Sequence, residues 1–404
     1  MRADYRPLLE WVQAQSAALR PELLRLSSLN SGSFNAAGVS AVAGRMADLY
    51  APLQPQAEWI EVGPHRVTDD SGTVSERAMG PALRLRKRPE APLRIFLGGH
   101  LDTVYGIDHP FQSAIEVDAD HIRGPGVADL KGGLLAMWLA LAALERSPWR
   151  DRIGWEVVLN PDEEIGSAGS DPLLREAATR NHFGLIYEPA FADGGLASAR
   201  RGSGDFDLVV HGRAAHAGRN PEEGRNAIVA AAQVVAAVHA LNGQREGLTL
   251  NPGYLRGGGA LNVVPELCVF KFNVRTAGAD DEHWLHEQLD RIVHAAQGEG
   301  VRCELRGGFT RPPKPISEPM QRLMQWVGEC GRELETPLAF RPTGGCCDGN
   351  NLAAYGLPNL DTLGVVGRDI HSHRETMRWS SLSERAQISA LLLLRLASGE
   401  WSWT

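Results

Sequence analysis

The chain alternates short uninterrupted apolar runs with stretches whose apolar positions recur every three to four residues. Residues 1–26, "MRADYRPLLEWVQAQSAALRPELLRL", show the second pattern and predict an amphipathic helix; they lack the unbroken apolar core of a signal peptide. Segments 58–62 and 82–86 read as strands around a turn-rich stretch. "LRIFLGGH" (93–100) is a continuous apolar run closed by glycines, as expected of a strand buried on both faces. "GGLLAMWLALAALER" (132–146) is apolar on every side, which predicts a helix inside a core. "GWEVVLNPDEE" and "HFGLIYEPA" (182–190) are further buried strands, with the helix "SDPLLREAATR" between them. Strand and helix in alternation predict an α/β layer with a mostly parallel sheet.

Near residue 200 the pattern changes. "GSGDFDLVVHGRAAHAG" alternates polar and apolar positions, which suits an antiparallel strand with one solvated face. A long Ala/Val helix (226–241), two hairpin-like strands, a polar helix (280–297) and the strand "VRCELRGG" follow. Strand-helix-strand-strand-helix-strand predicts a small, ferredoxin-like α+β sandwich inserted into the larger domain. After Pro312-Pro313 the first pattern resumes, with a helix (318–335), the strand "NLDTLGVV" and a terminal helix (381–398). The expected division is 1–199 and 310–404 for the larger domain and 200–309 for the insert.

Composition narrows the function classes. A net charge of -8 argues against a general nucleic-acid binder. No apolar run is expected to span a membrane. Five cysteines (268, 303, 330, 346, 347) lack a disulfide framework's spacing, so a reducing cytoplasm is expected.

The chemistry collects where strands end. Open α/β sheets bind ligands outside the carboxyl ends of their strands. Here those ends and the loops beside them carry His100 and Asp102 in "GGHLDTVYG", Asp129 in "GPGVADLKGG", Asp162-Glu163-Glu164 in "NPDEEIGS" and Glu188 in "YEPA". His371 and His373 follow late in the chain, in "DIHSHRE". Singly, each has an ordinary reading: a hydrogen-bonded structural histidine, a helix N-cap at Asp129, a solvated acidic turn. At one sheet edge they suit mixed imidazole and carboxylate ligation of zinc, with cobalt or manganese as alternatives. Two histidines and three carboxylates exceed the ligand set of one catalytic zinc and fit two ions sharing an Asp and a water. Two cations would also offset three neighbouring carboxylates that otherwise repel one another.

In order and spacing, "GGHLDTV", "GPGVADLKGG", "PDEEIGS", "YEPA", "GRAAHAG" and "HSHRE" resemble the M20 metallopeptidases, and within them the glutamate carboxypeptidase (carboxypeptidase G) branch. The resemblance implies a zinc-peptidase catalytic domain carrying a dimerisation or lid domain, and a homodimer. It implies that His100 and Glu188 bind one zinc and Glu164 and His371 the other, with Asp129 bridging. Asp102 would orient His100, and Glu163 would be the general base. The family's His followed four residues later by Glu is met by His371 and Glu375, not by His373. His216 matches a histidine that reaches the partner's site and steadies the oxyanion. Asn262 and Arg275 match substrate contacts, Arg311 the receptor of the substrate's α-carboxylate, and Gly345 lies in a glycine loop lining the site. The implied activity is cleavage of an amide or peptide bond beside a free α-carboxylate, on an N-acyl amino acid or short peptide. An N-acyl-amino-acid deacylase or dipeptidase of the same family is the alternative, and a non-catalytic binding homologue a remote one.

Overall fold

The computed structural model describes residues 2–403. Its centre is a six-stranded sheet in the order Gln56–Ile60, Ala82–Lys87, Ile153–Asn160, Leu93–His100, Phe183–Ile186, Asn359–Leu360. The last four strands are parallel to one another, and the first two run antiparallel at one edge. Because side chains alternate along a strand, Ile95 and Leu97 enter the core on one face while Phe96 enters the other. Helices Gly132–Arg146, Ser380–Ser398 and Arg6–Ala18 pack together on the first face. Helices Asp171–Arg180 and Asp348–Ala354 serve the second. Each fully buried leucine of the terminal helix, such as Leu391, contributes about 1.5–3 kcal/mol through burial. Helical residues Val127–Arg146 are apolar and long enough to cross a bilayer, but 94% of that window is buried in this core.

Two local features differ from the sequence reading. The N-terminal helix is two helices, Arg6–Ala18 and Arg20–Ser27, because Pro21 cannot continue an incoming helix but suits the first turn of a new one. A helix not anticipated, Ala36–Tyr50, is capped by Asn35, whose side chain accepts the Gly38 N–H. Its many Ala and Gly residues dilute the apolar stripe of Val39, Val42, Met46 and Tyr50.

The insert is a four-stranded antiparallel sheet in the order Thr249–Gly257, Leu267–Thr276, Gly202–His211, Arg302–Arg311. Its two helices, Ala227–His239 and Ala279–Ala296, share with it a separate core. The turn-rich stretch before residue 80 forms a hairpin, His65–Thr68 with Val74–Arg77, that reaches from the larger domain onto this sheet. Arg306 Nη1 donates to Gly72 O at 2.7 Å and Arg256 pairs with Asp70 at 3.0 Å.

Candidate metal centre and substrate cavity

The parallel strands end their apolar runs together, and the polar residues beyond them converge. His100 is the last residue of its strand and is 1% exposed. Its Nδ1 lies 3.0 Å from Asp102 O and 3.3 Å from Asp102 Oδ1, which turns Nε2 toward Asp129 Oδ1 at 3.1 Å. Asp102 is buried; it accepts the Ser33 hydroxyl at 2.7 Å and the N–H groups of Glu163 and Glu164 at 3.2 Å. One carboxylate therefore orients the histidine and holds the acidic turn beside it.

Asp129 is not a helix cap: Val127–Lys131 departs from α geometry before the helix opens at Gly132, and the Asp129–Leu130 peptide is cis. The loop is gathered by Glu375, 1% exposed, which accepts the N–H groups of Ala128 (2.9 Å), Asp129 (3.1 Å) and Gly126 (3.2 Å). With its loop fixed, Asp129 offers opposite oxygens to two imidazoles: Oδ1 to His100 at 3.1 Å and Oδ2 to His371 at 3.3 Å. His371 Nε2 also lies 3.0 Å from Glu164 Oε2. His371 holds φ +61, a left-handed conformation uncommon outside glycine. His373 lies apart, in a surface depression with Phe111 and Gln112.

Ligand atoms of His100, Asp129 and Glu164 lie within 4.8 Å of one another, as do those of His100, Glu163 and Glu188. These donors fit divalent cations, two imidazole nitrogens and several carboxylates around one shared aspartate. By the chain's own groups the cluster is electrostatically unbalanced. Burial, reinforced by Asp129, pushes Glu164 up to about 8. Burial, with Glu163 adding repulsion, pushes Glu188 well above the carboxylate range. Burial opposes ionisation of Asp129 too, but the two imidazoles outweigh it and hold that carboxyl low. Contacts with Asp129 and Glu164 raise His371 to about 11. A bound cation supplies positive charge where those carboxylates lack it.

Glu163 is 9% exposed, and burial pushes it up to about 7 against the pull of Arg311 and His100. Asp162, which starts the acidic run, serves the backbone: it accepts the N–H groups of Gly169 (2.8 Å) and Ser170 (3.2 Å) and the Ser170 hydroxyl (2.5 Å).

Asp129, Glu163, Glu164, Glu188 and His371 line a cavity of about 380 Å³ together with Arg200, Gly345 and Cys346. Arg275 borders that wall, its Nη1 donating to Cys346 Sγ at 3.0 Å. Arg311 stands differently from its expected role as a carboxylate receptor. It is 4% exposed, and its fork is occupied: Nη1 donates to Asp348 (2.9 Å) and Asn351 (3.0 Å), Nη2 to Glu163 Oε1 (2.7 Å) and Ser167 (3.0 Å). It closes the strand Arg302–Arg311, so it belongs to the insert's sheet and not just beyond it. His216 and Asn262 are neighbours on exposed loops of the insert, Ala217 N donating to Asn262 O at 2.9 Å, and neither lines the cavity of its own chain. Arg200 and Glu375 are the polar residues whose placement sequence reasoning did not foresee. Glu375 was visible as the acid after His371, whereas Arg200 in "ASARRGS" carried no signal. A larger cavity, about 450 Å³, lies at the amino ends of the strands near Arg94 and Gly154; its Arg180 is already paired with Glu156.

The profile of peptidase family M20/M25/M40 matches residues 96–395. Carboxypeptidase G2 of Pseudomonas sp. (strain RS-16) is 29% identical over 311 residues, 76% of this chain and 74% of that protein. The structure of the di-peptidase Dug1p from Saccharomyces cerevisiae superposes with a TM-score of 0.78 at 14% identity, covering 98% of this chain and 99% of its own. The M20 family metallo-carboxypeptidase Sso-CP2 from Sulfolobus solfataricus gives 0.74 at 15% identity, covering 92% of this chain and 97% of its own. The matched region contains every strand end that carries the cluster, and the chain belongs to peptidase family M20/M25/M40, a family of hydrolytic enzymes.

Proposed function

We propose that this chain is a two-metal amidohydrolase that cleaves an amide or peptide bond beside a free carboxylate, as a glutamate carboxypeptidase does. The observation that carries the reading is Asp129, whose two oxygens face two different imidazoles, His100 at the carboxyl end of its parallel strand and His371 on a late loop. In this reading His100 and Glu188 would hold one cation and Glu164 and His371 the other, with Asp129 available to both. Zinc is the proposed ion, with cobalt or manganese as alternatives. When bound, the pair supplies Lewis acidity toward the scissile carbonyl and acidifies a water.

The chain's own residues do the rest. Asp102 holds His100 by its Nδ1 side and leaves Nε2 for ligation. Arg311 fixes Glu163 Oε1 at 2.7 Å, leaving Oε2 to take a proton from the attacking water and deliver it to the leaving amine. Burial places Glu163 near neutrality, where proton uptake and release are both facile.

The name of the Pseudomonas relative supports carboxypeptidase action. The name of the yeast structure supports a dipeptidase as the second reading, and an N-acyl-amino-acid deacylase would share the same ligands and base. A homodimer belongs to the proposal: Leu255, Leu261 and Val263 stand exposed along the insert's edge strand and the loop beside His216 and Asn262. A partner subunit covering that edge would bring a histidine and an asparagine to the opposite cavity. All five cysteines are free, in keeping with a cytoplasmic location.

Glu163→Gln tests the chemistry. With zinc content unchanged, hydrolysis of N-acyl amino acids should fall about 10²–10⁴-fold. Wild-type rates in a zinc-replete variant would remove Glu163 as the base.

A further inference from the structure

Two chain crossings join the insert to the larger domain, one at Arg201 and one at Pro312-Pro313. They lie side by side: Arg200 exchanges backbone hydrogen bonds with Lys314 at 3.0 and 2.9 Å, and Ser203 pairs with Arg311. Among the described residues, Arg275, Thr310 and Arg311 of the insert also bond the larger domain, and they gather at the same end, where Arg275 pairs with Ser203. Adjacent crossings of this kind form one hinge, which fixes an axis but not a rotation about it.

The hairpin His65–Thr68 with Val74–Arg77 meets the insert away from that axis. Its base is fastened to the larger domain: the His65 ring lies 5.6 Å from the Phe34 ring, and the Arg77 guanidinium stands 5.1 Å above the same ring. Its tip crosses all four strands of the insert's sheet. Asp70 meets Tyr254 and Arg256 on Thr249–Gly257, the latter at 3.0 Å. Lys271 of Leu267–Thr276 donates to Thr68 O. Gly72 packs on Val209 of Gly202–His211, and Arg306 of Arg302–Arg311 donates to Gly72 O at 2.7 Å. Leu208 and Val210 face the insert's own core, so Val209 points to the opposite face, yet it is fully buried there. Glycine permits that close approach: Gly72 has φ +74, and a Cβ on it would stand 2.6 Å from Val209 Cγ1. Arg306 is five residues from Arg311, about 16 Å along the strand, so the tip holds the sheet well away from the hinge. Singly, an exposed pair such as Asp70 with Arg256 adds little; the hold is collective.

We propose that this hairpin is a brace that sets the insert's orientation, and that hydrolysis depends on it although none of its residues lines the cavity. Arg275 and Arg311 ride on the insert, one bonded to Cys346 in the cavity wall at 3.0 Å and the other to Glu163 at 2.7 Å. A swing about the hinge changes both distances. Asp70 and Gly72 are thus positioning residues, acting on the reaction through the insert. The kinetic part of the inference rests on the amidohydrolase reading; the orientation does not.

The test shortens the hairpin, replacing residues 69–73 by Asn-Gly, a two-residue turn that keeps Thr68 paired with Val74. A second pair of proteins carries Asp70→Arg alone and Asp70→Arg with Arg256→Asp, which restores the ion pair in reverse. All are compared with wild type at matched zinc content and circular dichroism, by small-angle X-ray scattering and by hydrolysis of N-benzoyl-L-glutamate. The shortened protein should give an altered scattering curve and a kcat lower by roughly 10-fold or more, since small misplacements of reacting groups are costly. Asp70→Arg should shift both readouts in the same direction, and adding Arg256→Asp should bring them back toward wild type. Wild-type scattering and kcat in the shortened protein would overturn the inference, as would a kcat that rises. Should the shortened protein not fold, the charge reversal and its rescue decide. If wild type hydrolyses nothing, the amidohydrolase reading fails, and scattering alone decides whether the hairpin holds the insert.

Discussion

Glu375 is the residue whose removal most directly separates a built metal centre from a chance cluster of acids. Its Oε1 accepts the N–H groups of Ala128 and Asp129 at 2.9 and 3.1 Å. Its Oε2 lies 3.2 Å from the Gly126 nitrogen and 2.9 Å from the Tyr105 hydroxyl, which itself sits 2.8 Å from Ser372 O. One carboxylate therefore ties the loop of Asp129 to the loop of His371. Glu375→Ala would leave three backbone N–H groups without their acceptor, while the Tyr105 hydroxyl keeps Ser372 O. An unmet buried donor costs about 1–3 kcal/mol. Donors that share one acceptor are not additive, so a total of about 3–6 kcal/mol is expected. That is a large part of the stability of an ordinary domain, about 5–15 kcal/mol. Glu375→Gln keeps the volume but turns an NH₂ group toward donors, and about 2–3 kcal/mol is expected for it. Because Asp129 moves with this loop, zinc affinity should fall about 10–100-fold in Glu375→Gln. Urea unfolding gives the first quantity and competition with a chromophoric chelator the second. Wild-type stability together with wild-type zinc affinity in Glu375→Gln would refute the reasoning.

Three other outcomes are expected. Asp361→Asn leaves Arg200 and Lys314 buried against a neutral amide and should cost about 3–5 kcal/mol at neutral pH. Burial by itself would raise the Asp361 carboxyl, but Arg200 and Lys314 outweigh it and hold it well below the usual range. A depressed carboxyl adds stability that is complete above its unfolded pKa, about 3.9, and is lost as pH falls through the folded value. The gap between wild type and variant should therefore be constant near neutrality and narrow only in strong acid; a gap that narrows on going to alkaline pH would contradict the assignment. Adding zinc to chelated protein at 100 times its dissociation constant should stabilise the fold by about 2.7 kcal/mol per site, read as a rise in Tm. An unmoved Tm would mean that the folded cluster does not hold the ion. Mixing Glu163→Gln with His216→Ala, each inactive, should restore activity if the histidine acts on the partner's cavity, because a mixed dimer then has one intact site. Absence of recovery in demonstrated mixed dimers would place His216 outside the reaction.

The apolar runs carried most of the fold. Residues 95–100 and nearly all of 132–145 are buried, so little competes with the signal of hydrophobicity, and both elements stand where the pattern puts them. The expected strand "NLDTLGVV" survives as Asn359–Leu360, because Asp361 turns into its ion pairs and Thr362 takes φ +61. Candidate ligands were legible because strand ends are the one place where this architecture collects side chains, and His100, Asp129, Glu164, Glu188 and His371 meet there. Arginine geometry was not legible. Arg200 and Arg311 have the same charge in the sequence, and only tertiary contacts show that one is spent on Glu163 and Asp348 while the other keeps a free donor.

The most direct measurement is the rate of amino-acid release from an N-benzoyl-L-amino acid as zinc is titrated into chelated protein. Activity should be absent without metal, rise with added zinc and reach its plateau at two equivalents per chain. Full activity in the chelated protein, or no hydrolysis at any zinc concentration, would contradict a paired-metal hydrolase built on Asp129.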